Sequence, residues 1–304
     1  MHSKKLILVI GPTGTKKSYL ANKLALRLNL PIISADAFQV YKELNAGVNK
    51  PSAKTLSEID YHLVSEISIF DDWSIAHFNK KAKDILSRTP NWTIVCGGSH
   101  LYINSLINDY QLENESLDQA LFNELEQQEN QELFNQLLSY DFDEANKIGI
   151  NNRRRLLRAV YLFKKHGKKS KNDTKKFDYI VVKCMSEKQQ LFDYLDKRLN
   201  EMIDDLKWTE EIAYLDQLIK DKNIDKKLIA MKALGYPEVY DAWLNKKPID
   251  REAINKKLKK LVKHQLTWTR NKFNDGLKTY EFNFFNDDAD KLCDEIIEYI
   301  KDND

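Results

Sequence analysis

Glycine is scarce in this chain, nine of 304 residues, and cysteine scarcer still, with three. Cys96, Cys184 and Cys293 lie far apart, with no CxxC spacing and no histidine cluster beside them. That argues against a disulfide framework or a zinc centre and fits a reducing cytoplasm. No stretch approaches the ~18 apolar residues of a membrane span, so no membrane partner is expected. The N-terminal "MHSKKLILVIGP" has no small-residue cleavage site behind its apolar run, which reads as a strand rather than a signal peptide. An excess of one charge is also missing: the net is +2, and the average points to no particular partner. What is present, 42% hydrophobic and 31% charged residues, is ordinary for a globular protein with one large domain or two modest ones.

Apolar runs and helical periodicities alternate along the first hundred residues. "KLILVI" (5–10), Ile32 to Ala35 and "WTIVCGG" (92–98) have the length and continuity of strands buried on both faces. Between them Leu20, Ala21, Leu24, Ala25 and Leu28, then Ile75, Phe78, Ala82 and Ile85, recur at helical spacing. This order predicts a parallel sheet with helices on both faces, whose ligands gather at the carboxyl ends of the strands. Gly11, Asp36 and Gly97 stand at those ends. "FDYIVVKC" (177–184) and "YEFNFF" (280–285) read as further strands, and 187–273 as mostly helical with a break near "LGYP" (234–237).

Charge is segregated rather than absent. Residues 113–147 hold ten acidic side chains and one basic, Lys147, whereas 153–176 hold eleven basic and one acidic, Asp173. Apolar positions in both recur at helical spacing, which predicts a helical insertion, and "KSKNDTKK" (169–176) reads as an exposed loop. The predicted organisation is thus a core segment (1–110), a helical insertion subdomain (111–176), and a continuation with C-terminal helices (177–304). A second basic stretch, 256–273, has seven basic residues and no acid. Together with Trp268 and Tyr236 as stacking surfaces, the two stretches look like a phosphate-backbone footprint.

Four of the nine glycines fall in two loops, "GPTGTKKS" (11–18) and "GGSHLY" (97–102), which favours close backbone approach to a ligand. The first nearly fits a phosphate-binding loop: Gly11, Lys17 and Ser18 are in place, but Lys16 stands where the pattern has glycine. Gly11, Pro12, Thr13, Gly14, Thr15, Lys16, Lys17 and Ser18 are therefore the candidate pyrophosphate- or nucleotide-binding residues. Lys17 would neutralise phosphate charge, the Ser18 hydroxyl would hold Mg²⁺, and Lys16 could add a second cation near the anion. Asp36 at a strand end could take a proton from an acceptor.

These segments, in order, resemble the tRNA dimethylallyltransferase (isopentenyl transferase) family over nearly the whole chain. "GPTGTKKS" is similar to the family's GPTASGKT, "DAFQVY" and "NAGVNKP" (45–51) to its DSxQVY and NIGTAKP, "HLV" (62–64) to its HHLI, and "GGSHLY" to its GGTxLY. "NNRRRLLRAV" (151–160), "DKRLNEM" (196–202), "ALGYPEV" (233–239) and "KHQLTWTR" (263–270) resemble its NDxQRxxRAL, NxRVDxM, xIGYxE and KRQxTWFR. The resemblance implies a phosphate-loop-type α/β fold and transfer of a dimethylallyl group from its pyrophosphate to N6 of the adenosine beside the tRNA anticodon. It implies Asp36 as general base, Thr13, Lys17 and Ser18 on pyrophosphate and Mg²⁺, Arg198 on the leaving group, and Ser99 beside the reacting adenosine. It further implies tRNA contacts from Asp36, Ala37, Phe38, Gln39, Arg154, Arg155, Arg158, Lys232, Gly235, Tyr236, Lys263, His264, Gln265, Trp268 and Arg270, with Arg153 adding to the basic run.

The chain departs from the family pattern at Lys16, Ala37, Val48, Leu206, Leu258, Lys259 and His264, and at Tyr194 the family has the first of two paired arginines. Asp36, Lys17, Ser18 and Arg198 are retained, so a diverged but active, monomeric, cytoplasmic enzyme of the bacterial form is expected. Two alternatives share part of the evidence: a small-molecule kinase on the same loop, and a tRNA-binding homologue that has lost catalysis.

Overall fold

A computed structural model describes residues 4–108, 118–166, 177–223 and 228–303. In chain order the first segment contains β1 (Lys5–Ile10), α1 (Lys17–Leu28), β2 (Ile32–Ser34), α2 (Ala53–Glu58), β3 (Tyr61–His62), α3 (Ile75–Arg88), β4 (Trp92–Gly97) and α4 (His100–Ile107). Next come α5 (Gln119–Glu126), α6 (Asn130–Tyr140), α7 (Phe142–Ile148) and α8 (Arg153–His166). The chain continues with β5 (Asp178–Cys184), α9 (Lys188–Asp204), α10 (Lys207–Asp221), α11 (Tyr236–Leu244), α12 (Arg251–Asn271), β6 (Lys278–Phe282) and α13 (Ala289–Asp302). Two compact units result: 1–108 with 175–304, and 109–174.

The sheet of the first unit is wholly parallel, in the order β3-β2-β4-β1-β5-β6. β1 lies at its centre, registered against β4 on one side and β5 on the other. Alternate side chains of one strand therefore serve two cores. Ile7 and Val9 face α1 and α13, where Leu20, Leu24, Cys293 and Ile296 are buried. Leu6, Leu8 and Ile10 share the opposite core with Phe78 of α3, Ile103 of α4, Trp208 of α10 and Tyr236 of α11. Side-chain caps fix several helix starts: Ser74 accepts from the His77 N–H, Glu187 from Gln190, and Asp250 from Ala253.

The second unit packs Leu125, Leu133, Leu137, Leu156 and Val160 into its own small core. Residues 113–117 and 169–176 lie outside the described residues. β6 starts two residues earlier than its apolar run suggests. Its register with β5 begins at Lys278 opposite Ile180, and Phe282 is the last paired residue. The break expected at 234–237 falls just ahead of α11, which already begins at Tyr236.

Two buried contacts fix the helices that surround the sheet edge. Gly235, at φ +87°, holds the corner before α11, and a Cβ there would lie 2.2 Å from the buried Trp208 ring. His100 opens α4 and is buried, its Nε2 2.7 Å from Thr269 Oγ1 of α12. Burial, then the nearby Lys17 charge, push the His100 imidazole down to about 4.

Gly235→Ala combines left-handed strain with overpacking, and equilibrium urea unfolding should show a loss on the order of 3 kcal/mol. The His100 prediction concerns pH. Its folded value of about 4 lies below the ordinary 6.5, so the unfolded chain binds the extra proton between those values. The stability it contributes is intact above pH 6.5 and falls as pH drops toward about 4, by on the order of 3 kcal/mol. The difference between wild-type and His100→Gln unfolding free energies across that range measures it, and should narrow as the pH falls.

Candidate active site

A cavity of about 190 Å³ opens at the carboxyl ends of β1, β2 and β4. Its polar side is formed by Thr13, Lys17, Ser18, Asp36, Gln39, Arg198 and Gln265. Leu195, Leu199, Met202, Trp208, Leu258 and Leu261 form an apolar side. A site that combines cations with hydrocarbon suits a ligand that is itself part anion, part hydrocarbon.

The phosphate loop leaves β1 at Gly11 and enters α1 at Lys17. Thr15 is buried and donates its hydroxyl to the Pro12 carbonyl at 2.8 Å, closing the loop on itself. Lys16 occupies the N-cap of α1 at φ 56°, ψ 26°, a left-handed corner. That conformation is one glycine adopts freely, and a side chain there costs about 1–2 kcal/mol. The expectation that the Lys16 ammonium lies near the anion is corrected: it sits over the Tyr194 and Phe284 rings, at 5.1 and 5.4 Å from their centroids. Lys17 faces the cavity, with Nζ 3.2 Å from the Pro12 carbonyl. Among the described residues neither Lys17 nor Arg198 has a carboxylate partner. Two uncompensated cations thus border one cavity, the charge an anionic ligand needs.

Asp36 follows β2 by two residues. Its Oδ1 accepts the backbone N–H groups of Phe38 and Gln39 at 2.9 and 3.2 Å, which locks the carboxylate in an Asx turn. Oδ2 has no hydrogen-bond partner among the described residues and is left to act on a ligand. Phe38 and Gln39 also line the cavity, whereas the neighbouring Ala37 packs against the core. Gln39 accepts from the Ser34 hydroxyl at 2.9 Å and donates to the Val48 and Asn49 carbonyls at 3.2 and 2.9 Å.

Gln265 is a brace within the cavity wall. Its Oε1 accepts from the Thr13 N–H at 3.0 Å and its Nε2 donates to the Gly98 carbonyl at 3.1 Å. A Cβ at Gly98 would meet Nε2 at 2.5 Å, so a side chain there would displace the Gln265 amide. Ser99 takes the N-cap position of α4 without a side-chain cap bond and is half-buried. Elsewhere on α12, Lys263, His264 and Arg270 are exposed, and Trp268 is half-buried with its ring 6.3 Å from that of His100. Lys232 is exposed on the 3-10 turn ahead of α11.

Tyr236 and Gly235 are a correction. Both are buried, so Tyr236 offers no stacking surface and Gly235 no backbone to an outside partner. The Tyr236 hydroxyl instead donates to Glu211 at 2.6 Å and accepts from the Gly47 N–H at 3.2 Å, and burial raises its pKa. Glu211 also accepts from the Asn45 and Ala46 N–H groups, at 3.0 and 2.8 Å. From the other side Lys50 donates to the Tyr41 and Lys42 carbonyls and to Asn45 Oδ1, at 2.6, 3.1 and 3.2 Å. Burial lowers the Lys50 ammonium to about 8. These contacts hold the strip Gly47, Val48 and Asn49 against the cavity. Glu211, Lys50 and Trp208 were invisible as site residues, because each acts through a contact distant in sequence.

In the second unit Arg154, Arg155 and Arg158 are exposed on α8. Arg153, expected among the phosphate contacts, is corrected: it donates to the Glu126 and Gln128 carbonyls at 2.6 and 2.7 Å and to Asn130 Oδ1 at 3.0 Å. It serves as a C-terminal clasp for α5.

Among the described residues no group of three or more His, Cys, Asp or Glu side chains could hold a metal ion. The cavity offers three hydroxyls, Thr13, Ser18 and Ser34, and one carboxylate, Asp36. That donor set suits Mg²⁺, which keeps its waters and binds through one or two protein oxygens together with substrate phosphates.

Comparison with known proteins agrees with this geometry. A family model described as IPP transferase matches residues 39–272. The phosphate loop and Asp36 lie ahead of that match, but the relatives extend across them. A tRNA dimethylallyltransferase of Mycoplasmoides gallisepticum is 74% identical over 100% of this chain and 99% of its own length. One from Malacoplasma penetrans is 36% identical, covering 98% and 99%. The crystal structure of a tRNA isopentenylpyrophosphate transferase from Bacillus halodurans superposes with TM-score 0.69 at 26% identity, over 99% of this chain and 96% of that one. A eukaryotic dimethylallyltransferase studied acting on tRNA gives TM-score 0.76 at 26% identity, over 88% and 70%. With a family model spanning most of its length and a near-full-length relative at 74% identity, this chain belongs to the IPP transferase family.

Proposed function

We propose that this protein transfers a dimethylallyl group from dimethylallyl pyrophosphate to N6 of the adenosine 3′-adjacent to the anticodon in tRNA, giving N6-dimethylallyladenosine. The observation that carries the reading is one cavity holding the carboxylate of Asp36, two cations without carboxylate partners, Lys17 and Arg198, and an apolar wall. A kinase has no use for that wall. The names of the relatives, tRNA dimethylallyltransferases, support the same chemistry.

The step follows from the residues. The N6 lone pair forms a bond to C1 of the dimethylallyl group as the C1–oxygen bond breaks, and the pyrophosphate departs with the electron pair. Negative charge grows on the leaving oxygens, where Lys17, Arg198 and the N–H groups at the start of α1 stabilise it. The free Oδ2 of Asp36 takes the N6 proton, while Oδ1 stays fixed by the Phe38 and Gln39 amides. The apolar side, Leu199, Met202, Trp208 and Leu261 among it, accommodates the hydrocarbon and keeps water from the reacting carbon. Bound Mg²⁺ would add neutralising charge to the pyrophosphate, with the Ser18 hydroxyl as its protein ligand. The adenine has to leave its stack to reach Asp36, so the tRNA binds with that base flipped. Exposed Lys263, His264 and Arg270 on α12, Lys232, and Arg154, Arg155 and Arg158 on α8 are the candidate backbone contacts.

The direct test incubates the pure protein with unmodified tRNA, dimethylallyl pyrophosphate and Mg²⁺, and identifies nucleosides by mass. N6-dimethylallyladenosine should appear; its absence with folded protein would refute the reading. In single-turnover assays Asp36→Asn should lose about 10²- to 10⁴-fold in rate while tRNA binding stays near wild type. Lys17→Ala should likewise cripple transfer, because Lys17 is the one cationic side chain of the loop that lines the cavity. Binding of tRNA should weaken steeply with salt. Replacing Arg154, Arg155 and Arg158 together by alanine should flatten the log–log slope by roughly 0.7–0.9 for each phosphate no longer neutralised. An unchanged slope would remove α8 from the footprint.

A further inference from the structure

The loop residue that breaks the phosphate-loop pattern has an assignable task. We propose that Lys16 is a positioning residue: its ammonium latches onto the Tyr194 and Phe284 rings and so fixes the loop corner from outside the cavity. The inference rests on the reading that the loop holds a pyrophosphate.

Three observations carry it. First, the corner at Lys16 is left-handed, a conformation glycine adopts freely and lysine does not. A side chain kept there in spite of that cost has a contact to offset it. Second, the contact exists: Lys16 Nζ lies 5.1 Å from the Tyr194 centroid and 5.4 Å from that of Phe284. Those rings belong to a chain of edge-to-face pairs. Tyr194 meets Phe285 at 5.7 Å, Phe285 meets Phe284 at 5.7 Å, and Phe284 meets Tyr19 of α1 at 5.7 Å. Lys16, Tyr194, Phe284 and Phe285 are all half-buried, so the cation over the rings is partly shielded from water and worth more than at an exposed site.

Third, both partners depart from the family pattern, and their changes in charge are opposite. Lysine stands for the loop glycine at Lys16, and tyrosine for an arginine at Tyr194. The pair keeps one positive charge, moved from α9 to the loop. Tyr194 lies one helical turn before Arg198, so the latch ties the loop to the same face of α9 that presents the cavity arginine. Lys16 itself is not among the residues lining the cavity, which separates its task from that of Lys17.

Calorimetric titration of the full chain with inorganic pyrophosphate and Mg²⁺ tests the latch, with thermal melts confirming that each variant is folded. Lys16→Met and Tyr194→Leu should each weaken pyrophosphate binding about three- to tenfold, and the double variant should be no weaker than the worse single. Lys16→Arg and Tyr194→Phe, which keep cation and ring, should stay within about twofold of wild type. In transfer assays the KM for dimethylallyl pyrophosphate should rise in step for Lys16→Met while kcat holds. Wild-type affinity in Lys16→Met, or losses that multiply in the double variant, would overturn the latch. Weakening in Lys16→Met with none in Tyr194→Leu would make Lys16 a direct phosphate ligand and overturn it as well. Failure of the folded wild-type protein to bind pyrophosphate would instead overturn the reading of the cavity, and the latch with it.

Discussion

The side-chain amide of Gln265 joins the phosphate loop to the glycine pair that ends β4, and the cavity depends on that bridge. One oxygen meets the Thr13 N–H and one nitrogen the Gly98 carbonyl, so a residue of α12 sets the spacing between two loops of the sheet edge. The Thr269 hydroxyl, one turn on, bonds to the Gln265 carbonyl and touches buried His100. α12 is thereby anchored to the strand it helps to shape. Removing the amide would leave the partly buried Thr13 N–H unsatisfied, at a cost of about 1–3 kcal/mol.

Around that bridge the site divides by charge. Lys17 and Arg198 have no carboxylate to neutralise them, and Asp36 has one oxygen bound to backbone and the other free. Such an arrangement is destabilising without a ligand and complementary to one with it. The strip at Gly47 to Asn49 is handled the opposite way. Its Gly47 N–H is bound by Tyr236 and its Val48 and Asn49 carbonyls by Gln39, while just ahead of it Glu211 takes the Asn45 and Ala46 N–H groups and Lys50 fills three acceptors. Rigid support and unsatisfied chemistry lie side by side.

Much of the fold was legible in the amino-acid order. The runs at β1, β4 and β5 are largely apolar because both faces of a central parallel strand are covered. Lys17, Ser18, Asp36 and Arg198 converge on one cavity, the first three as motif spacing and strand-end position suggest and Arg198 as the family resemblance implies. What misled was side-chain direction. Tyr236 beside a basic helix reads as a stacking platform, but the left-handed turn at Gly235 directs it inward to Glu211. Lys16 reads as an extra phosphate cation, but the aromatic pair that captures it comes from α9 and from the segment after β6. Arg153 belongs to an arginine run, yet the run is helical, so one member faces inward to the end of α5. Each error concerns a contact between segments that no local pattern encodes.

The strand order also has a consequence for how the chain comes into being. β1 is the first strand made, and β4 can pair with one of its edges once Gly97 has emerged. Its other edge waits for β5, which ends at Cys184 after the whole of the second unit has been synthesised. At about 5–20 residues per second, those 87 intervening residues (97 to 184) leave the most apolar strand half-paired for roughly 4–17 s. An unpaired apolar edge of that duration is a site for chaperone capture or for pairing with another nascent chain. The insertion, with a core of its own, sets the length of that exposure.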